Sequence, residues 1–281
     1  MIEIGRVQTL KVTNIVDFGI FLDAETDNRD ENVLLPKRFV PENAQIGDEI
    51  EVFVYKDSED RIIATTETPK AQVGELAYLK VVDQAHFGAF LDIGLGRDVL
   101  LPHKEQNFEV KKGKKYLVKL YIDKTERLCA TTKIYESLED GGEYEKNQEV
   151  TGVVYAIKEG VGLLVAIDMK YRGLVPEKEY FTDVEIGDLL SMRVIRVRED
   201  GKIDLSTRKL VADQLVVDAE VIYSALLKND GFLALNDKSA PEAIQRTFKM
   251  SKKAFKRAVG RLMRDGKVEQ DEKGITKKEQ A

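Results

Sequence analysis

One cysteine, Cys129, stands among 281 residues, so no disulfide can form within the chain and a reducing compartment is expected. Histidine is almost as rare. With only His86 and His103 beside that cysteine, the zinc clusters built from thiolates and imidazoles cannot be assembled. Long apolar runs are missing too. The longest, GVGLLVAI at residues 160–167, is far too short to span a bilayer, and the opening MIEIGRVQTL lacks a basic stretch leading into an apolar core. A cytoplasmic protein without membrane contact is therefore expected. The local patterns that carry common catalysis, G-x-x-x-x-G-K-[ST], H-E-x-x-H, G-x-S-x-G and G-x-G-x-x-G, do not occur. The chain is accordingly expected to be no enzyme, with no cofactor and no small-molecule substrate.

What the chain has instead is repetition. Pro36, Pro102 and Pro176 each close an apolar triplet (LLP, LLP, LVP), and each is followed eleven residues later by Gly47, Gly113 or Gly187. Arg61 and Arg127 come fourteen residues further on and Lys202 fifteen, and each copy ends on a similar stretch: RIIATTE, RLCATTK, KIDLSTR. Three copies of one module make an array, in which function lies in what the copies share and where they differ. Apolar residues at 43% and charged residues at 33% fit folded domains rather than disorder. Cys129 takes the place of Ile63 in its copy, as an inert thiol in an apolar strand.

Within a copy, apolar and polar residues alternate through LKVTNIVDFGIFLD, DEIEVFVY and RIIATTE, and again through LKVVDQAHFGAFLD, KYLVKLYI and RLCATTK. Period-two runs of this length predict short antiparallel strands, and about five in so short a module suit a small closed barrel without exposed edges. If Ile20 and Leu22 face inward, Phe21 faces outward; Ala89 and Leu91 place Phe90 in the same way. A bulge at Gly19 or Gly88 would turn Phe18 or Phe87 to that outer face. Two outward rings per barrel, with Arg61 or Arg127 arriving on a neighbouring strand, form a platform on which unpaired bases could stack. The competing reading is that the rings cover core or pack between barrels.

The strand ending in F-G-x-F, the Gly47-Asp48 and Gly187-Asp188 pairs and the terminal DLSTR resemble the RNA-binding domain named after ribosomal protein S-one, a five-stranded barrel of the oligonucleotide-binding class. The three copies depart from it at NVLLPKR, DVLLPHK and GLVPEKE, where many members carry a histidine-containing segment. Lys37, Arg38, His103 or Lys104 would stand in for that contact. His103 could stack on or hydrogen-bond to a base, or be a solvated loop residue. Copy three lacks both rings in KEGVGLLVAID, so stacking there would need Tyr155, Tyr171 or Tyr180. It carries Lys170 and Arg172 in one loop, then Arg193, Arg196 and Arg198 on MRVIRVRED. Alternation puts Arg196 and Arg198 together, either as a phosphate clamp or as partners of nearby carboxylates. The polar stretch IYESLEDGGEYEKNQ reads as a linker.

Beyond residue 208 the period changes. Val211, Leu215, Ala219, Ile222 and Leu226 recur at helical spacing up to Asn229-Asp230-Gly231, a second short helix can open near Ser239-Ala240-Pro241, and a third begins at Ser251. In the third, Phe255, Ala258, Val259 and Leu262 form an apolar stripe, while Lys253, Lys256, Arg257, Gly260, Arg261 and Arg264 lie outside it. KVEQDEKGITKK follows as two short strands around a glycine turn. Helices followed by such a hairpin look like a winged helix, whose last helix and hairpin usually meet nucleic acid. Net charge is −6 overall, but it runs from −7 over residues 1–70 to +3 over residues 210–281, so a polyanion would be drawn to the C-terminal end.

The expected architecture is mainly β: five-stranded OB-fold barrels at 1–68, 69–134 and 148–208, a linker at 135–147, and an α+β winged-helix domain at 209–281. That order resembles the bacterial conserved virulence factor B family, which implies an RNA-binding regulator of gene expression. The expected partner is single-stranded RNA, with the main affinity in the third barrel and winged helix. Two other readings stand beside it: a regulator gripping duplex DNA through the winged helix, and a protein-binding adaptor.

Overall fold

The computed structural model describes residues 2–26, 32–57, 59–180, 183–208 and 211–278. The chain divides into two compact units, Met1–Thr207 and Arg208–Ala281. In the first unit the alternating segments close into three barrels. One holds β1 (Val7–Val16), β2 (Gly19–Leu22), β3 (Val33–Pro36), β4 (Glu49–Lys56) and β5 (Ile62–Thr65), joined in the order β1-β2-β3-β5-β4. The same circuit recurs through β6 (Leu76–Ala85), β7 (Gly88–Asp92), β8 (Asp98–Pro102), β9 (Lys115–Ile122) and β10 (Leu128–Thr131). It recurs again through β11 (Glu149–Lys158), β12 (Gly162–Ile167), β13 (Tyr171–Pro176), β14 (Leu189–Val197) and β15 (Ile203–Ser206). All neighbours are antiparallel except β3 with β5, β8 with β10 and β13 with β15. Each barrel fills with its inward set: Leu10, Val12, Ile20, Leu22 and Leu35 in the first, and their counterparts after them.

The repeated spacing has a backbone cause. Gly19, Gly88 and Gly162 pair with Pro36, Pro102 and Pro176, and a Cβ at any of them would lie 2.0–2.4 Å from the carbonyl oxygen of Leu35, Leu101 or Val175. Only glycine allows the two strands so close. Gly47, Gly113 and Gly187 have φ of 97°, 88° and 94°, a region that favours glycine, and their N–H groups donate to Val12, Val81 and Val154 at 2.8–2.9 Å. The recurring basic residue belongs to the hairpin before the last strand: Asp57 and Asp123 accept the backbone N–H of Arg61 and Arg127 at 3.0 Å, and Asp200 that of Lys202 at 3.2 Å.

The bulges do not fall at Gly19 and Gly88, as alternation alone suggested. They lie on the facing strand, where the register shifts between Val12 and Asn14, between Val81 and Asp83, and between Val154 and Ala156. Phe18 and Phe87 reach the surface from two-residue turns instead. A further register shift lies in β14 between Val194 and Arg196, and Val197 beyond it is exposed.

The polar stretch after Thr132 does not hang free. Ile134 and Leu138 are buried, Glu139 bridges Tyr171 by donating its N–H to the Lys170 carbonyl and accepting from Arg172 N–H, and Gly141 N–H donates to the Gly201 carbonyl. Composition hid this because two apolar anchors suffice to pin a charged segment. Barrels one and two meet where Gly5 accepts from Val73 N–H and Val7 N–H donates to the Gln72 side chain. Barrels two and three meet where Tyr78 Oη donates to the Gly187 carbonyl at 2.6 Å and Lys114 pairs with Glu185.

The second unit holds α1 (Val211–Lys228), β16 (Phe232–Leu233), α2 (Pro241–Phe248), α3 (Lys252–Arg264), β17 (Val268–Gln270) and β18 (Ile275–Lys277), with sheet order β16-β18-β17. Pro241 opens α2 at its first turn, and Ser251 caps α3, its Oγ accepting from Ala254 N–H at 3.2 Å. Ala219, Ile222, Leu226, Phe255, Ala258, Val259 and Leu262 form one core. The side chain of Val211 lies outside the described residues. Among the described residues no helix is long and apolar enough to cross a membrane.

Candidate nucleic-acid interface

Phe18 is 60% exposed and meets the half-buried Phe21 edge to face, ring centroids 6.4 Å apart. Phe87, 47% exposed, meets Phe90 in the same way at 5.9 Å. Ile20, Leu22, Ala89 and Leu91 point inward and hold these rings out. The turn that carries each first ring is tied down from behind: the Phe18 carbonyl accepts from Lys37 N–H at 2.9 Å, and the Phe87 carbonyl from His103 N–H at 3.2 Å. His103 is itself exposed, beside the second platform. In the third barrel the matching positions are Val161 and Leu164. Leu164 packs in a cluster with Leu117 and Tyr78 of barrel two and with Ile134 and Leu138. Protein thus covers the Leu164 position, which accounts for its aliphatic side chain, while Val161 stays 46% exposed. None of the three tyrosines replaces the lost rings. Tyr155 is buried in the same cluster, with its hydroxyl pushed up to about 12 by burial; Tyr171 packs on Tyr144, and Tyr180 on the barrel core.

The barrel cations that spacing singled out are paired with carboxylates. Arg61 binds Asp57 through two nitrogens at 2.9 and 2.7 Å and also contacts Glu59. Burial pushes the Asp57 carboxyl up, but the bonds from Arg61 outweigh it and hold the group below its usual range. Arg127 reaches across to barrel one and grips Asp60 with two bonds of 2.7 Å. Arg172 bonds Asp140 at 2.8 Å, and Lys170 lies 3.5 Å from Glu139. Arg196 and Arg198 converge on one buried carboxylate, Asp204, at 2.7 and 2.6 Å. Burial would raise the Asp204 carboxyl, and the two guanidiniums more than reverse that. Of the two readings of this arginine pair, the structure places it on a carboxylate.

The outer face of α3 differs. Lys256 approaches Asp237 at 3.4 Å and Arg261 approaches Asp265 at 3.6 Å. Lys253, Arg257 and Arg264 have no carboxylate within 4 Å among the described residues and stand exposed. Gly260 lies on the same face, and a Cβ there would meet nothing within 4 Å. Packing does not require this glycine, so it leaves bare backbone between three cations.

Known families and a solved structure share this order of domains. The S1 domain description matches residues 4–67 and again 73–133, that of the virulence regulatory factor CvfB second domain matches 136–209, and the CvfB-like winged helix domain matches 220–276. Conserved virulence factor B of Staphylococcus saprophyticus is 30% identical over 246 residues, covering 82% of each chain. This chain belongs to the conserved virulence factor B family. Relatives include YitL of Bacillus subtilis, 35% identical over 95% of this chain and 91% of its own. A solved Streptococcus pneumoniae structure, described as a multidomain protein with nucleic acid binding domains, superposes with a TM-score of 0.55 at 26% identity, over 98% of both chains. Barrels and winged helix together make this a nucleic-acid-binding architecture.

Two residues that the sequence reading passed over face the second platform. Tyr55 and Arg97 line a cleft with Phe87 and Phe90. Tyr55 could have been found, because Tyr-x-Asp recurs at Tyr55-Asp57 and Tyr121-Asp123. Arg97 sits in a loop that differs in length between copies and left no signal. Cys129 lines the same cleft from its buried strand, its thiol pushed up to about 11 by burial and by Asp123 nearby.

Proposed function

We propose that the protein is a non-enzymatic, cytoplasmic binder of single-stranded RNA that acts on gene expression after transcription. The observation that carries this reading is the pair of edge-to-face phenylalanine platforms set at the same place on two barrels, Phe18 with Phe21 and Phe87 with Phe90. An exposed ring offers a stacking surface only to bases that are unpaired, at about 1–3 kcal/mol each and with little regard to sequence. RNA rather than DNA is the choice the S1 domains favour. Phosphates are assigned chiefly to Lys253, Arg257 and Arg264. Lys170, Arg172, Arg196 and Arg198 of the third barrel add less, because a phosphate must first displace a carboxylate from each.

The exposed basic face of α3 also supports a second reading, in which this helix lies in a groove of duplex DNA. Competition against a labelled single-stranded oligoribonucleotide separates the two. Unlabelled single-stranded RNA should displace it and duplex DNA of equal length should not. Equal displacement by the duplex would overturn the single-strand reading.

A further inference from the structure

Between the first and second barrels lies a cleft of about 350 Å³. One wall is the platform of barrel two, Phe87 and Phe90; the other is the outward side of β4 in barrel one, where Phe53 and Tyr55 stack on each other and Tyr55, 7% exposed, is the more open of the two. We propose that this cleft takes one unpaired nucleobase of a bound strand, clasped between rings of two barrels, while the phosphates stay outside. The inference rests on the single-strand reading and goes beyond it, because an open platform needs one barrel and this site needs two.

Charge decides what can enter. Lys56, Arg97 and Arg127 line the cleft together with Asp57, Asp98 and Asp123, so cations and carboxylates balance. Lys56 is already paired with Glu126 at 2.7 Å and Arg127 with Asp60, which bring two further carboxylates to the rim. A phosphate backbone would meet no net attraction there. A flat, neutral base with donors and acceptors on its edge suits apolar walls carrying a few polar groups.

Arg97 and Asp98 supply those groups side by side. Arg97 Nη1 donates to the Lys56 carbonyl at 3.3 Å, and the guanidinium has no carboxylate within 4 Å among the described residues. Its other N–H groups can therefore serve a base carbonyl or ring nitrogen. Asp98, next in sequence, supplies an acceptor for a base amino group. The volume is ample for a base. Leu100 and Cys129 continue the floor between Phe90 and Tyr121 through paired strands, so the base would rest on an apolar row.

The test uses the full chain and a short single-stranded oligoribonucleotide carrying one 2-aminopurine, with affinity, salt dependence and probe emission recorded. Binding to the wild type should change the emission. R97A, F87A and Y55L should each weaken binding about tenfold, the scale of one stacked base, and leave the salt slope unchanged because no phosphate contact is lost. I46A, at an exposed residue of barrel one outside the cleft and both platforms, should leave affinity and emission change intact. If Y55L were to unfold, R97A carries the test, since Arg97 is half-exposed and, among the described residues, its side chain hydrogen-bonds only a carbonyl. Wild-type affinity and emission in both R97A and Y55L would overturn the cleft, while a loss confined to F87A would leave an open platform. Failure of the wild type to bind any single strand would overturn the cleft and the proposed function together.

Discussion

Replacing Lys253, Arg257 and Arg264 together by alanine removes the three cations of α3 that have no carboxylate within 4 Å among the described residues. They sit on one face, and the eleven residue steps from Lys253 to Arg264 cover about 16 Å at 1.5 Å per residue, a length that faces several phosphates of an extended strand. Each phosphate neutralised on single-stranded nucleic acid contributes about −0.7 to the slope of log K against log salt. The triple variant should therefore lower the steepness of that slope by about 2 and weaken binding at 0.1 M salt by about a hundredfold. Helix and core should survive, because Phe255, Ala258, Val259 and Leu262 are untouched and alanine favours helix. The assay is fluorescence anisotropy of labelled single-stranded RNA over a salt series, with thermal melting as the folding control. R196A with R198A serves as contrast: both arginines are already paired with Asp204, so the slope should change much less. An unchanged slope in the α3 variant, with a large drop in the Arg196 and Arg198 variant, would refute the assignment and return the phosphate grip to the third barrel.

G260A should stabilise the winged helix by about 0.5–1 kcal/mol, since nothing lies near the added Cβ and mid-helix glycine is unfavourable. If a nucleic-acid backbone approaches that bare position, the same change should weaken binding while raising the melting temperature; unchanged affinity would show that the ligand passes elsewhere. D204N should destabilise the first unit by about 2 kcal/mol, because the three charged hydrogen bonds that converge on this buried acceptor are impaired. The native Asp204 carboxyl is held below its unfolded value near 3.9, so its contribution is complete above about pH 4 and disappears as the pH falls through the lower native value. Acid melts should show a loss in the wild type that D204N lacks. Cys129, with its thiol near 11, should resist alkylation at pH 8 in the native chain and react at once on unfolding; rapid native labelling would contradict its burial.

The barrels were legible because their signals are backbone signals. Pro36 with Gly19, the positive φ of Gly47 and the alternation of Ile20, Phe21 and Leu22 are set by sterics that act within a few residues. The winged helix was legible for the same reason, from Ser251 as cap to the buried stripe of α3. The partners of charges were not. Nothing local foretells that Arg127 reaches Asp60 of another barrel, or that one aspartate, Asp204, gathers two arginines. The packing of the connecting residues 135–147 was hidden for a related reason: the polar composition is real, but Leu138 and the bridge at Glu139 fasten the segment against barrel three. The cleft at Arg97 arises only when two copies stand side by side, and no reading of one copy contains it.

The covered Leu164 position of the third barrel has a consequence for how such an array can be taken apart. Gly141-Gly142 looks like an open invitation to a protease, yet Gly141 N–H is bonded to the Gly201 carbonyl, and Leu138 just before it is buried in the cluster shared with the neighbouring barrel. A duplicated module has here traded its grip on a ligand for cohesion, so a cut chain should come apart near Thr207 and leave the last two barrels as one inseparable piece.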